Sequence, residues 1–168
     1  MKNIVLIGMP GAGKSTIGVI LAKVLAYGFI DSDLLIQEQE GCLLKDIIKA
    51  KGTGGFQVIE NQVNKDIDTE NTVIATGGSV VYCSEAMEHL RNIGVVVYIE
   101  LSYETIKNRL GNIRQRGVVF REGQTLESIY EERCPLYEKY AHITVNGEKL
   151  GVEELMEKIL NAVKSQLN

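Results

Sequence analysis

The sequence predicts an α/β fold, a three-layer α/β/α sandwich on a mainly parallel five-stranded sheet. Three observations carry the prediction. Short runs of apolar, β-branched residues recur along the chain. Between them lie stretches with apolar residues at i, i+3 and i+4, the spacing of a helix face. No linker, repeat or low-complexity tract interrupts this alternation, so residues 1–168 read as a single domain.

The elements follow in order. Ile4–Ile7 is a continuous apolar run ending in glycine, which suits a strand buried on both faces. From Ser15 to Ala26, Ile17, Ile20, Leu21, Val24 and Leu25 mark one face of a helix. Phe29-Ile30 is a short apolar segment that ends at Asp31-Ser32-Asp33. Helical spacing returns from Leu34 to Ala50, broken at Gly41, and a polar helix is expected over Val58–Asp68. Thr72–Ala75 is a second buried strand, stopped by Thr76-Gly77-Gly78-Ser79. A short helix over Glu85–Asn92 leads to a third strand, Val95–Ile99. Ser102 is placed to cap a helix that runs to about Leu110. Residues 111–123 have poor periodicity and read as a loop. Thr125–Glu138 is helical, His142–Val145 a last short strand and Val152–Leu167 a final amphipathic helix.

Composition narrows the function classes. The chain is 45% hydrophobic and 24% charged, which is enough to bury a core without disulfides or metal staples. With 18 Lys+Arg against 22 Asp+Glu the net charge is −4, which argues against a nucleic-acid binder. Cys42, Cys83 and Cys134 are an odd number without a CxxC pair and read as reduced thiols. No apolar run is long enough to cross a bilayer, and no secretory cleavage site follows the first residues. A cytoplasmic protein with no membrane partner is expected.

The most informative stretch is Gly8-Met9-Pro10-Gly11-Ala12-Gly13-Lys14-Ser15, which fits G-x-x-x-x-G-K-[ST] between a buried strand and an amphipathic helix. Glycines let the backbone curl and turn its N–H groups toward an anion, and the helix beginning near Lys14 adds its dipole. Gly11, Ala12 and Gly13 supply the cradle. Lys14 supplies charge for β- and γ-phosphates, Ser15 a hydroxyl for Mg²⁺, and Thr16 a contact to the α-phosphate. A nucleoside triphosphate with Mg²⁺ is the ligand this predicts.

Three later stretches should meet it, because ligands of open α/β sheets bind at the carboxyl ends of the strands. Asp31 and Asp33 follow the second strand. If the chain is still extended there, one faces the metal and the other a second substrate; alternatively, one of them caps the next helix. Gly77-Gly78 either brings bare backbone to a ligand or merely ends a strand. Lys107 to Arg121 holds Lys107, Arg109, Arg114, Arg116 and Arg121 with no acid. Such a run in a long loop suits a lid that neutralises a transferring phosphoryl group, with Arg116 favoured and Arg114 and Arg121 as alternatives. Arg133, on the last-but-one helix, either pairs with Glu131 or Glu132 at the surface or clamps an anionic substrate. His89 and His142 are given no chemistry.

Taken together, the P-loop, Phe29-Ile30-Asp31-Ser32-Asp33, Gly77-Gly78, the lid and the Glu-Arg-x-Pro-Leu-Tyr run around Arg133 resemble the shikimate kinase family over nearly the whole chain. The resemblance implies an adenylate-kinase-like P-loop fold, ATP and Mg²⁺, and phosphoryl transfer to the 3-hydroxyl of shikimate, a step toward aromatic amino acids. It implies Lys14, Asp33 and Arg116 as catalytic residues, Asp31 beside Ser15 at the metal, and Arg109 near the adenine. It assigns Asp33 to the shikimate hydroxyls and Arg133 to its carboxylate, with Gln57, Gly77 and Gly78 in the acceptor site. A substrate-binding segment of about 33–60 and a lid of about 111–123 would lie within the single domain, and a monomer is expected.

Three departures stand out. In Gly52-Thr53-Gly54-Gly55-Phe56-Gln57-Val58-Ile59-Glu60, Gln57 replaces an arginine that is a second carboxylate clamp in the family. Gly77-Gly78-Ser79 replaces three glycines, and Arg116-Gly117-Val118-Val119 replaces Arg-Pro-Leu-Leu. These keep open a kinase of the same fold acting on another polyol or sugar acid such as gluconate, or a non-catalytic nucleotide-binding protein.

Overall fold

The computed structural model describes residues 2–111 and 121–167. The described residues form a five-stranded, all-parallel sheet in the order β2-β3-β1-β4-β5. The strands are β1 (Asn3–Ile7), β2 (Gly28–Asp31), β3 (Thr72–Ala75), β4 (Gly94–Glu100) and β5 (Ile143–Asn146). β1 is central, pairing with β3 on one side and β4 on the other, and every one of its residues is buried. That position explains its unbroken apolar run, since helices cover a parallel sheet on both faces. The edge strands β2 and β5 are the more exposed ones.

Among the described residues, six α-helices lie between the strands and a seventh follows the last: α1 (Lys14–Leu25), α2 (Ser32–Glu40), α3 (Leu44–Lys65), α4 (Ser84–Ile93), α5 (Tyr103–Leu110), α6 (Leu126–Tyr140) and α7 (Val152–Leu167). Local chemistry sets several of their starts. Ser102 caps α5 by accepting from the Thr105 amide, and Thr125 and Ser128 form a reciprocal capping box on α6. α7 buries Leu155, Ile159 and Val163, four residues apart, which is the apolar stripe that fixes its orientation. None of the described helices is long and apolar enough to cross a membrane.

Asn3 ties the sheet to its connections. Its side-chain nitrogen donates to the carbonyls of Thr69 and Ile93 at 2.7 and 3.0 Å, and its oxygen accepts from the Thr72 amide at 3.0 Å. One buried amide therefore joins β1 to the entries of both neighbouring strands.

The predicted strands are all present, but the helices between 32 and 65 differ. Instead of pieces over 34–50 and 58–68, α2 begins at Ser32 and ends at Glu40, and α3 over Leu44–Lys65 is two helical pieces that meet at a kink where Gly52 takes φ 72° and ψ 176°. The piece before the kink buries Ile47, and the piece after it buries Phe56, Glu60 and Val63. Ile36, Ile47, Phe56 and Val63 make a small apolar cluster of their own, apart from the main core around the sheet.

Candidate active site

The carboxyl ends of β1 and β3, the start of α2, the middle of α3 and the middle of α6 enclose a cavity of about 280 Å³. Its lining includes Gly11, Gly13, Lys14, Ser15 and Thr16 from the P-loop side. Asp33, Glu60, Gly77, Gly78, Ser79 and Arg133 face them.

On the P-loop side, Gly13 is the N-cap of α1 with φ 91°, a left-handed conformation that glycine adopts without strain. No side chain caps α1, and its first turn holds no acid. The amides there are thus left for an anion, in the positive field of a twelve-residue helix. Lys14 is buried and donates from Nζ to the Gly8 and Met9 carbonyls at 2.7 and 2.8 Å. Burial pulls its ammonium down to about 8; Arg133 adds repulsion, while Asp33 and Asp31 pull the other way. It is still the cation of the P-loop at neutral pH.

Asp31 serves two functions at once. Its Oδ1 accepts from the amides of Asp33 and Leu34 and caps α2, while its Oδ2 accepts from Ser15 Oγ at 2.6 Å. A hydroxyl and a carboxylate side by side are the oxygen donor set that Mg²⁺ takes together with phosphate oxygens, so the pair fits that ion. The alternation expected of an extended Asp31-Ser32-Asp33 does not hold, because the helix starts at Ser32. Asp33 reaches the cavity from the first turn of α2 instead. Burial pushes its carboxyl up to about 6, Asp31 raises it further and Lys14 opposes. A base with that value is ionised at neutral pH and still able to take up a proton.

Gly77 lies between two acids. A Cβ there would stand 2.6 Å from Asp33 Oδ1 and 2.9 Å from Glu60 Oε2. On Gly78 it would meet Pro10 Cδ at 2.6 Å and an Arg133 nitrogen at 3.2 Å. The two glycines therefore do more than end β3, since the site closes around their bare backbone.

Arg133 is 1% exposed, which excludes the surface pairing with Glu131 or Glu132. It lies over the Tyr82 ring, 5.3 Å from the centroid, with Nε 3.4 Å from the Tyr82 hydroxyl. Tyr137, stacked on Tyr98, donates to the Gly78 carbonyl at 2.6 Å and steadies the glycine turn. Arg109 is not in the lining, but it donates to the carbonyl of Gly11, which is, at 3.2 Å.

Gln57 is not brought into this lining. It faces a neighbouring hollow with Tyr82, Cys83 and Glu85, and its carbonyl accepts from Cys83 Sγ at 3.6 Å. Arg114 and Arg116 lie outside the described residues. Among the lining residues, Ser79 is the one noted above in place of a glycine, and Glu60 is not assigned to the site by the sequence reading. Glu60 is 0% exposed, and Ser79 Oγ donates to its Oε1 at 2.6 Å. The pointer to Glu60 was its place in the helical stripe Phe56, Glu60, Val63, where a carboxylate interrupts buried apolar positions.

Comparison with known proteins extends this picture. A family model described as shikimate kinase matches residues 10–164. A shikimate kinase of Sulfurihydrogenibium sp. (strain YO3AOP1) is 36% identical over 165 residues, which cover 98% of this chain and 99% of the relative. A solved shikimate kinase from Acinetobacter baumannii, in complex with shikimate, superposes with a TM-score of 0.91 at 32% identity, covering 99% of this chain and 94% of that one. A gluconokinase from Sinorhizobium meliloti 1021, at 16% identity and a TM-score of 0.54, shares the fold alone.

Proposed function

The chain belongs to the shikimate kinase family, and on that premise we propose that it transfers the γ-phosphoryl group of ATP to the 3-hydroxyl of shikimate. One observation carries the reading: a phosphate cradle and an acid–arginine surface share a single cavity, with Lys14 on one side and Asp33 and Arg133 on the other.

The P-loop amides and Lys14 hold the β- and γ-phosphates. Mg²⁺, held by Ser15 and Asp31, neutralises phosphate charge when bound. Thr16 contacts the α-phosphate, and Arg109, bonded to the Gly11 carbonyl, lies against the nucleotide base. Arg133 takes the acceptor carboxylate, and its buried guanidinium presents a planar pair of donors to it. Asp33 orients the acceptor hydroxyl and accepts its proton. The hydroxyl oxygen bonds to the γ-phosphorus while the β,γ-bridging oxygen leaves with its electron pair on ADP. The bare backbone at Gly77 and Gly78 lets the acceptor approach. Closure of the cavity around both substrates excludes water that would otherwise hydrolyse ATP. Free cysteines suit a reducing cytoplasm, and the net charge of −4 suits a small-molecule acceptor rather than a nucleic acid.

Purified protein with ATP, Mg²⁺ and a panel of hydroxy acids, read by ADP release, tests the reading. Acceptor-stimulated release with shikimate is expected. Release only with gluconate or another polyol, or none with any acceptor, refutes it.

A further inference from the structure

Tyr82 ends the short 3-10 turn Val80–Tyr82 that follows Gly77-Gly78-Ser79. It is not in the cavity lining, but it touches Arg133, which is. Successive residues of a helix point about 100° apart. On α6, Arg133 accordingly faces inward while its neighbour Glu132 is exposed. Tyr82 engages both. The Arg133 guanidinium lies over its ring, 5.3 Å from the centroid. Its hydroxyl donates to Glu132 Oε1 at 2.6 Å and accepts from Arg133 Nε at 3.4 Å. A phenol has one hydrogen to give; with that hydrogen committed to a carboxylate, the oxygen is turned to Arg133 as an acceptor. Gln124 reaches Glu132 Oε2 at 3.5 Å and Arg121 lies 5.9 Å from the Tyr82 centroid, so the segment before α6 packs on the same pair. At another edge of the guanidinium, Arg133 Nη1 stands 3.2 Å from the point where a Cβ of Gly78 would be. The guanidinium therefore spans from Tyr82 to the bare backbone of the glycine turn.

We propose that Tyr82 is a positioning residue for acceptor binding: it grips Arg133 by its face and its Nε edge, so that the Nη edge meets the acceptor carboxylate in a fixed plane. This rests on shikimate as the acceptor and on Arg133 as the clamp of its carboxylate. The long arginine stem has many rotamers, and ordering it before the acceptor arrives removes that loss from the binding step. The ring contact sets the plane of the guanidinium, and the hydrogen bond at Nε sets its rotation within that plane. Such control matters in this chain because Gln57 faces the neighbouring hollow. Among the described residues the cations of the cavity lining are Lys14 and Arg133, and Lys14 is bonded to P-loop carbonyls. Glu132 acts only through the Tyr82 hydroxyl, by fixing where its hydrogen goes.

The test is the ADP-release assay with varied shikimate, together with the inhibition constant of methyl shikimate against shikimate. Tyr82→Phe keeps the ring and loses the hydroxyl; it should raise the shikimate KM by about 3- to 10-fold. Tyr82→Leu loses both contacts and should raise it by about 10- to 50-fold, so the phenyl ring rescues part of the loss. In both variants kcat and the ATP KM should change less than about threefold. The methyl shikimate constant should stay within about twofold of wild type, because an ester offers Arg133 no charged pair of oxygens. Glu132→Ala, at an exposed position, should raise the shikimate KM by about 2- to 5-fold and add nothing in the Tyr82→Phe background. An unchanged shikimate KM in both Tyr82 variants, or equal penalties on shikimate and its methyl ester, overturns the proposal. If the Tyr82 variants do not fold, Glu132→Ala decides it: a penalty on shikimate alone supports the proposal, and an equal penalty or none overturns it. Wild-type protein inactive on shikimate refutes the substrate and this inference with it. That result is distinct because it precedes any substitution.

Discussion

Replacing Gly77 with alanine adds one methyl group at the point where the acid–base and acceptor surfaces meet. Ordinary contact begins at 3.4 Å, but the methyl carbon would stand 2.6 Å from Asp33 Oδ1 and 2.9 Å from Glu60 Oε2. Neither neighbour retreats freely. Asp33 leaves from the first turn of a helix capped by Asp31, and Glu60 is fully buried and tied to Ser79. Overpacking of this kind costs about 1–3 kcal/mol. Much of that cost should fall on the geometry Asp33 needs at the acceptor hydroxyl, and kcat/KM for shikimate should drop by about 5- to 150-fold. The contact does not reach the first turn of α1, so affinity for a non-hydrolysable ATP analogue should hold within about twofold. Steady-state ADP release with varied shikimate, alongside titration of the analogue, measures both. A folded Gly77→Ala protein with wild-type kcat/KM would show that the glycine's bare backbone is not needed by the reaction.

Lys14→Ala should lower turnover at least about 10²-fold at saturating acceptor in the ADP-release assay, because the P-loop loses its cation; near-normal turnover refutes the phosphate role. Gln57→Arg should lower the shikimate KM if the longer, charged side chain reaches from the neighbouring hollow to the acceptor carboxylate, and an unchanged KM counts against that reach. Asn3→Ala removes three hydrogen bonds from a buried strap and should cost about 3 kcal/mol, seen as a lower urea midpoint at unchanged slope. The folded state raises Glu60 from 4.5 to about 7, chiefly by burial. Between those values the native protein binds more protons than the unfolded chain, so this group's contribution to stability falls as pH rises. Glu60→Gln lacks that dependence, and its stability relative to wild type should improve from pH 5 to pH 8 in paired urea titrations.

The nucleotide half of the site was legible in the sequence because its chemistry is local. Gly8 to Ser15 is one unbroken stretch, and the strand before it and helix after it are needed for it to work. The order of strands and helices was legible for the same reason, since each carries its own periodicity. The acceptor half was less so. Asp31 and Asp33 were visible as a pair, but not that Ser32 would open a helix and turn Asp33 into the cavity from its first turn. Arg133 was assigned to the acceptor, but a surface pairing stayed open because the Tyr82 ring it packs on lies some fifty residues away in the chain. Glu60 and Ser79 meet only through the packing of α3 against the turn after β3, a contact that no local pattern encodes. Conversely, Gln57 was expected at the site from a motif, yet α3 turns it toward the neighbouring hollow.

The separate apolar cluster of Ile36, Ile47, Phe56 and Val63 has a consequence for how such a protein can diverge. These four side chains pack α2, which carries Asp33, against α3, which carries Glu60, whereas the strand before the triphosphate cradle is buried in the main core around the sheet. Altering the small cluster or the residues around it can reshape what is phosphorylated while the donor machinery stays undisturbed. The choice of alcohol and the handling of phosphate thus rest on separate apolar clusters.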